Sequence, residues 1–264
     1  MARGRGGTGR ADARASPVVG RRGEDGSLAG RRRGAVRRGN WPARRSLHPG
    51  PSWGEIRPWP SALSDRAEPK LTTLSRAQVL AVARAGADAS SWTETLVASC
   101  VWGQGDNGYG AYRLGEILRD SSVATVLGRA VAVLADDGAV AAYRRLRGAI
   151  RGLGPAFFTK FLYFVGGAIP DVPGPRPLIL DQRIARVVRA YATQVGEEAG
   201  LEQPARLATW LWSAGGWTPH RYGVYLRWIH GATEHLAPST HWPPIPDLLE
   251  LALFSGAWTV GRCP

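Results

Sequence analysis

Lysine is almost missing from this sequence. Of 34 basic residues only two, Lys70 and Lys160, are lysines, and arginine supplies the rest. Arginine stays protonated and cannot act as an amine nucleophile, whereas a desolvated lysine can shed its proton and form a Schiff base. A rare lysine in an apolar segment is therefore a candidate for chemistry. Lys160 lies in such a segment, AFFTKFLYF, while Lys70 sits in the polar stretch EPKL and reads as incidental. Cysteine is equally scarce. Cys100 and Cys263 are too few for a four-cysteine metal cluster or a disulfide framework. Cys100, in an apolar stretch, reads as a small buried hydrophobe. No run of about 18 apolar residues is present, which argues against a membrane span. The N-terminus lacks the apolar core of a signal peptide, so export is not expected and a reducing cytoplasm is. The five histidines, His48, His220, His230, His235 and His241, make no metal set, because even His230 and His235 are badly spaced for one helix face.

Positive charge is abundant but unevenly placed. The chain has 264 residues and a formal charge of +13. Residues 1–50 hold 13 arginines against three acidic groups, so the remainder is only mildly basic. These 50 residues are rich in Gly, Arg, Ser and Pro, cannot bury enough surface to offset chain entropy, and read as a disordered arm. Such an arm can add non-specific phosphate affinity; a solvated tail and an extension upstream of the true start are the competing readings. Residues 51–264 form the folded domain, entered through the Pro- and Trp-containing lead-in 51–70.

Helical periodicity dominates from about residue 74. Ser75 can cap RAQVLAVARAG, with Gly86 as the stop, and Ser91 can cap WTETLVASCVWGQG, where Glu94 completes a capping-box pattern. AYRLGEILRD, SVATVLGRAVAVLADD and GAVAAYRRLRGAI follow, each with apolar residues at three-to-four spacing. AFFTKFLYFVGG reads as a buried helix, IPDVPGPRPLIL as a Pro-rich connection, and QRIARVVRAYATQVG as a helix capped by Asp181. ARLATWLWSAG and PHRYGVYLRWIHGATEHL bring the helical segments to nine. With no sustained β-alternation and no fixed-period repeat, the fold class is all-α, with more helices than a simple four-helix bundle.

One stretch concentrates chemistry. Arg151-Gly152-Leu153-Gly154-Pro155 breaks one helix and opens the next. The glycines permit a tight turn, Pro155 suits a first helical turn, and the exposed amides of a helix start can hold a phosphate. Lys160 follows within two turns, and Leu178-Ile179-Leu180-Asp181 leads into a helix bearing Arg183 and Arg186. Together these residues resemble the helix-hairpin-helix DNA glycosylase superfamily, and more narrowly the bacterial proteins of 8-oxoguanine DNA glycosylase fold. The hairpin would span residues 144–165 and the loop to the aspartate 166–181. Leu96 to Leu118, with Trp102-Gly103-Gln104-Gly105, is similar to the early family helix and turn; His220-Arg221-Tyr222-Gly223-Val224-Tyr225 is similar to its aromatic-rich late helix.

The resemblance implies a base-excision enzyme that acts on double-stranded DNA carrying an oxidised purine. Lys160 would attack the sugar C1′, displace the base and form a Schiff base, and β-elimination would nick the strand. Asp181 would stabilise positive charge on the sugar or move a proton. The neighbouring Phe157, Phe161 and Phe164 would desolvate the lysine and favour its nucleophilic form. Because a duplex hides C1′, the nucleotide must be flipped into a pocket, for which Phe157, Phe158, Trp217 and Tyr222 are the candidate walls. Gln104 or Asn107 would fill the gap in the duplex. Gly152, Gly154, Arg183, Arg186, His220 and Arg221 would contact the DNA backbone. No metal or organic cofactor is called for, and a monomer in the cytoplasm, associated with the nucleoid, is expected. In lysine-using relatives the nucleophile is usually the second residue after the second hairpin glycine; here that position is Ala156, one turn before Lys160. Three other readings stay open. In one, a monofunctional glycosylase uses water activated by Asp181. In another, a non-catalytic module only binds DNA structure. In the third, a helical protein-interaction domain carries a basic tail.

Overall fold

A side-chain cap fixes where the first helix starts. The hydroxyl of Ser75 accepts from the Gln78 amide while the Gln78 side chain accepts from the Ser75 amide, so two amides that a helix start would leave unpaired are both satisfied. The helix that follows, α1, runs Arg76–Ala85 and stops at Gly86. In the computed structural model, which describes residues 53, 55–63, 74–86, 89–103, 109–240 and 243–256, nine more helices follow. They are α2 (Ala89–Gly103), α3 (Tyr109–Leu118), α4 (Val123–Asp137), α5 (Ala139–Leu146) and α6 (Pro155–Ala168), then α7 (Gln182–Glu198), α8 (Pro204–Leu211), α9 (Pro219–Thr240) and α10 (Pro246–Ser255). Among the described residues there is no β-strand, as the all-α reading requires. The arm of residues 1–50 lies outside the described residues.

Two expectations need correction. The second helix starts at Ala89, so Ser91 lies inside it and its carbonyl accepts from the Thr95 hydroxyl. Glu94 does not reach back to close a capping box; its carboxylate accepts from the amide of Ser61, in the 3-10 turn Ser61–Leu63. The tenth helix was missed, although Pro246 at its first position and Asp247 in its first turn are ordinary start signals.

The core is built around α2 and α6. Helix α6 packs against α1, α2, α4 and α5, and α2 also touches α3 and α4. Trp102 of α2 meets Phe164 of α6 edge-to-face at 5.3 Å, and Tyr143 of α5 stacks on Tyr222 of α9 at 4.5 Å. Helices α7 and α9 lie against α10, and α8 covers α7.

A buried ion pair ties the first helix to the last. The Arg76 guanidinium donates to both Glu250 oxygens at 3.0 and 3.4 Å, with side chains only 6% and 1% exposed. It also donates to the Tyr163 hydroxyl at 3.3 Å and lies 5.3 Å from the centre of the Trp102 ring. Tyr163 in turn donates to Asp247 at 3.1 Å. One charged cluster thereby joins α1, α2, α6 and α10. Among the described residues, no helix is long and apolar enough to cross a membrane, and no group of His, Cys, Asp and Glu could hold a metal ion.

Candidate active site

Helices α5 and α6 are joined by residues 147–154, a turn that faces two ways. Ile150 and Leu153 point into the core, while Arg147, Arg151 and Gly152 are exposed. Gly152 has φ +83°, a left-handed conformation that a side chain would strain. Gly154 caps α6 in an extended conformation, and its carbonyl accepts from Phe157 and Phe158. Pro155 takes the first helical position, as the sequence suggests.

Lys160 is buried, at 3% exposure, which rules out a lysine snorkelling to the surface. Side chains on an α-helix lean toward its N-terminus. Lys160 follows that lean, and its Nζ donates to the carbonyl of Ala156 at 2.6 Å. A lysine one turn downstream thus carries its amine back to the level of the Ala156 carbonyl. The same Nζ lies 3.5 Å from Oδ2 of Asp181 and 5.4 Å from the centre of the Phe157 ring.

Asp181 divides its two oxygens between two tasks. Oδ1 accepts from the amides of Arg183 and Ile184 at 3.0 and 3.1 Å, capping α7, while Oδ2 faces Lys160. The segment before it, Leu178-Ile179-Leu180, is buried and held at every residue. Tyr222 donates to the Leu178 carbonyl at 3.0 Å and Tyr225 to that of Ile179 at 2.8 Å. Burial raises both phenols well above the usual tyrosine range, so they remain donors at any working pH. The amide of Leu180 donates to the Thr159 hydroxyl at 3.2 Å, and that hydroxyl lies 2.8 Å from the Pro155 carbonyl and 3.2 Å from that of Leu180. Thr159 adjoins Lys160 in the chain, so the helix that carries the amine also grips the segment that carries the carboxylate. Thr159→Val keeps the shape but strands the Leu180 amide. It is expected to cost about 1–3 kcal/mol of stability in urea unfolding, with Thr159→Ser close to wild type. Equal stability of the valine and serine variants would show that the hydroxyl holds nothing.

A family model described as "Putative 8-oxoguanine DNA glycosylase OGG-like protein" matches residues 36–254. The chain belongs to this family. No curated protein and no solved structure matches it. The matched span of this OGG-like chain encloses the glycine turn, Lys160 and Asp181.

The other sequence candidates in the OGG-like chain scatter. Phe158, Trp217 and Tyr222 are core residues with at most 1% exposure, so they do not form open pocket walls; of the four proposed aromatics only Phe157 is partly exposed. They read as pocket residues because their aromatic character is visible in sequence and their partners are not: Tyr143 stacks on Tyr222 and meets Phe158 edge-on, and its hydroxyl donates to the Trp217 carbonyl. Arg183 and Arg186 are exposed near the start of α7, with Arg183 lying 4.4 Å from the centre of the Phe254 ring. His220 is exposed at the start of α9, and the half-buried Arg221 lies 5.0 Å from the centre of the Trp210 ring. Gln104 and Asn107 lie outside the described residues. Sequence reasoning gave no individual role to Thr159, Tyr225 or Gly103, the last of which borders the lysine. Cys100 fits the small-hydrophobe reading. Burial pushes its thiol up to about 12, against the opposing charges of Lys160 and Arg113, so it is no nucleophile.

Proposed function

We propose that the chain is a DNA glycosylase with associated lyase activity, which removes an oxidised purine such as 8-oxoguanine from duplex DNA. One observation carries the reading: the buried amine of Lys160 and the anchored carboxylate of Asp181 lie 3.5 Å apart, beside a glycine turn whose outer face is open. The neutral amine attacks C1′ of a flipped nucleotide, and the base departs with the electron pair of the broken N-glycosidic bond. Asp181 stabilises the positive charge that grows on the sugar and accepts the proton shed by the attacking nitrogen. Ring opening gives an imine between Lys160 and C1′. Loss of a proton from C2′ then expels the 3′ phosphate and nicks the strand. The amides at the start of α6 and the exposed Arg151, Arg183 and Arg186 suit backbone phosphates, which position the duplex without reading its sequence. A monomer acting on chromosomal DNA without a cofactor completes the proposal.

Borohydride trapping tests it, on duplexes carrying 8-oxoguanine, an abasic site or normal guanine. The wild-type chain is expected to give a covalent adduct on the 8-oxoguanine duplex and none on the guanine duplex, and Lys160→Gln is expected to lose it. Base release without an adduct would transfer the chemistry to water activated by Asp181. Neither release nor adduct on any of the three duplexes would remove both the lyase step and 8-oxoguanine as the substrate.

A further inference from the structure

We infer that Gly103, the last residue of α2, is a positioning residue for Lys160: its missing side chain is the channel through which the lysine reaches Asp181. The inference rests on the lysine mechanism proposed above. A Cβ built on Gly103 would stand 2.6 Å from Cδ of Lys160, 2.8 Å from its Cε and 3.8 Å from its Nζ. The first two distances are closer than real Cβ contacts come, and all three atoms belong to the one lysine.

Among the described residues, no backbone feature at this position requires glycine. Its backbone is helical and is not among the residues with positive φ. What glycine supplies is room for a buried four-carbon stem, crossing from α6 to the end of α2 on its way to Ala156 and Asp181. A methyl group would meet a flexible side chain and not a rigid backbone, so the lysine would yield before the helix. The amine would leave the position that puts it 2.6 Å from the Ala156 carbonyl and 3.5 Å from Asp181. Misplacing a reacting group by about 1 Å costs on the order of 100-fold in rate.

The test uses the full chain and a duplex with a preformed abasic site, so that imine formation is read without reference to base choice. Gly103→Ala is expected to slow single-turnover borohydride trapping on the order of 100-fold, with its DNA dissociation constant within about twofold of wild type. Thermal midpoints of wild type, Gly103→Ala, Lys160→Ala and the double variant supply the second readout. Gly103→Ala should lower the midpoint when Lys160 is present and leave it unchanged or raised when residue 160 is alanine. Trapping at the wild-type rate, or an equal fall in midpoint in both backgrounds, would overturn the positioning role. A Gly103→Ala chain that folds only with Lys160→Ala would support it. An absent wild-type adduct would instead sink the lysine mechanism, and the inference with it.

Discussion

Asp181→Asn is expected to slow base release by about 10²–10⁴-fold while keeping the start of α7 intact. Asparagine offers the same capping oxygen as aspartate, so the amides of Arg183 and Ile184 keep their acceptor. What disappears is the negative charge beside Lys160. The Asp181 side chain is only 13% exposed, so that charge acts through a medium far less screening than water. Asp181→Ala removes the cap as well and should cost a further 0.5–2 kcal/mol or so of stability. Single-turnover base release on an 8-oxoguanine duplex, beside urea unfolding of both variants, separates the two tasks. An asparagine variant as fast as wild type would show that the carboxylate takes no part in the chemistry and serves only as a cap.

The largest stability effect belongs to a residue outside the active site. Glu250→Ala is expected to cost about 3–5 kcal/mol, because it leaves the Arg76 guanidinium buried without its carboxylate. The pair is bidentate and nearly dry, and Arg76 also holds Tyr163 and faces Trp102, so the loss spreads over four helices. Replacing both partners, as in Arg76→Met with Glu250→Leu, should recover much of that loss, since two apolar side chains can fill the space without a stranded charge. Urea unfolding of the two single variants and the double variant gives the comparison; a double variant no better than either single one would refute the account. Acid is not expected to undo the fold through this residue. Burial raises the Glu250 carboxyl above the ordinary glutamate range, against the pull of Arg76. A carboxyl raised by folding contributes stability that is present below its unfolded value and is lost as pH rises through the raised one.

Local chemistry was the most legible part of the sequence. Ser75, Pro155 and Asp181 announce helix starts because their signals act within a few residues, and all three stand where expected. Lysine scarcity singled out Lys160, and a resemblance to known glycosylases supplied its partner. Distant pairing was not legible. Arg76 and Glu250 are 174 residues apart, and the tyrosine hydroxyls that hold the aspartate segment come from 44 and 46 residues downstream. An aromatic residue looks the same in sequence whether it lines a pocket or plugs a core, which is why Phe158, Trp217 and Tyr222 were misplaced. The one-turn offset of Lys160 was also unresolved, because spacing along the chain gives the position of Cα and not the reach of a long side chain.

The Thr159 link has a mechanical consequence. Lys160 rides on α6, and Asp181 follows a segment fastened to α6 through the neighbouring residue. When α6 tilts or slides, amine and carboxylate are carried the same way, so thermal motion of the helix enters both coordinates with one sign and largely drops out of their separation. The gap between the two groups is thereby steadier than either group's position in the molecule.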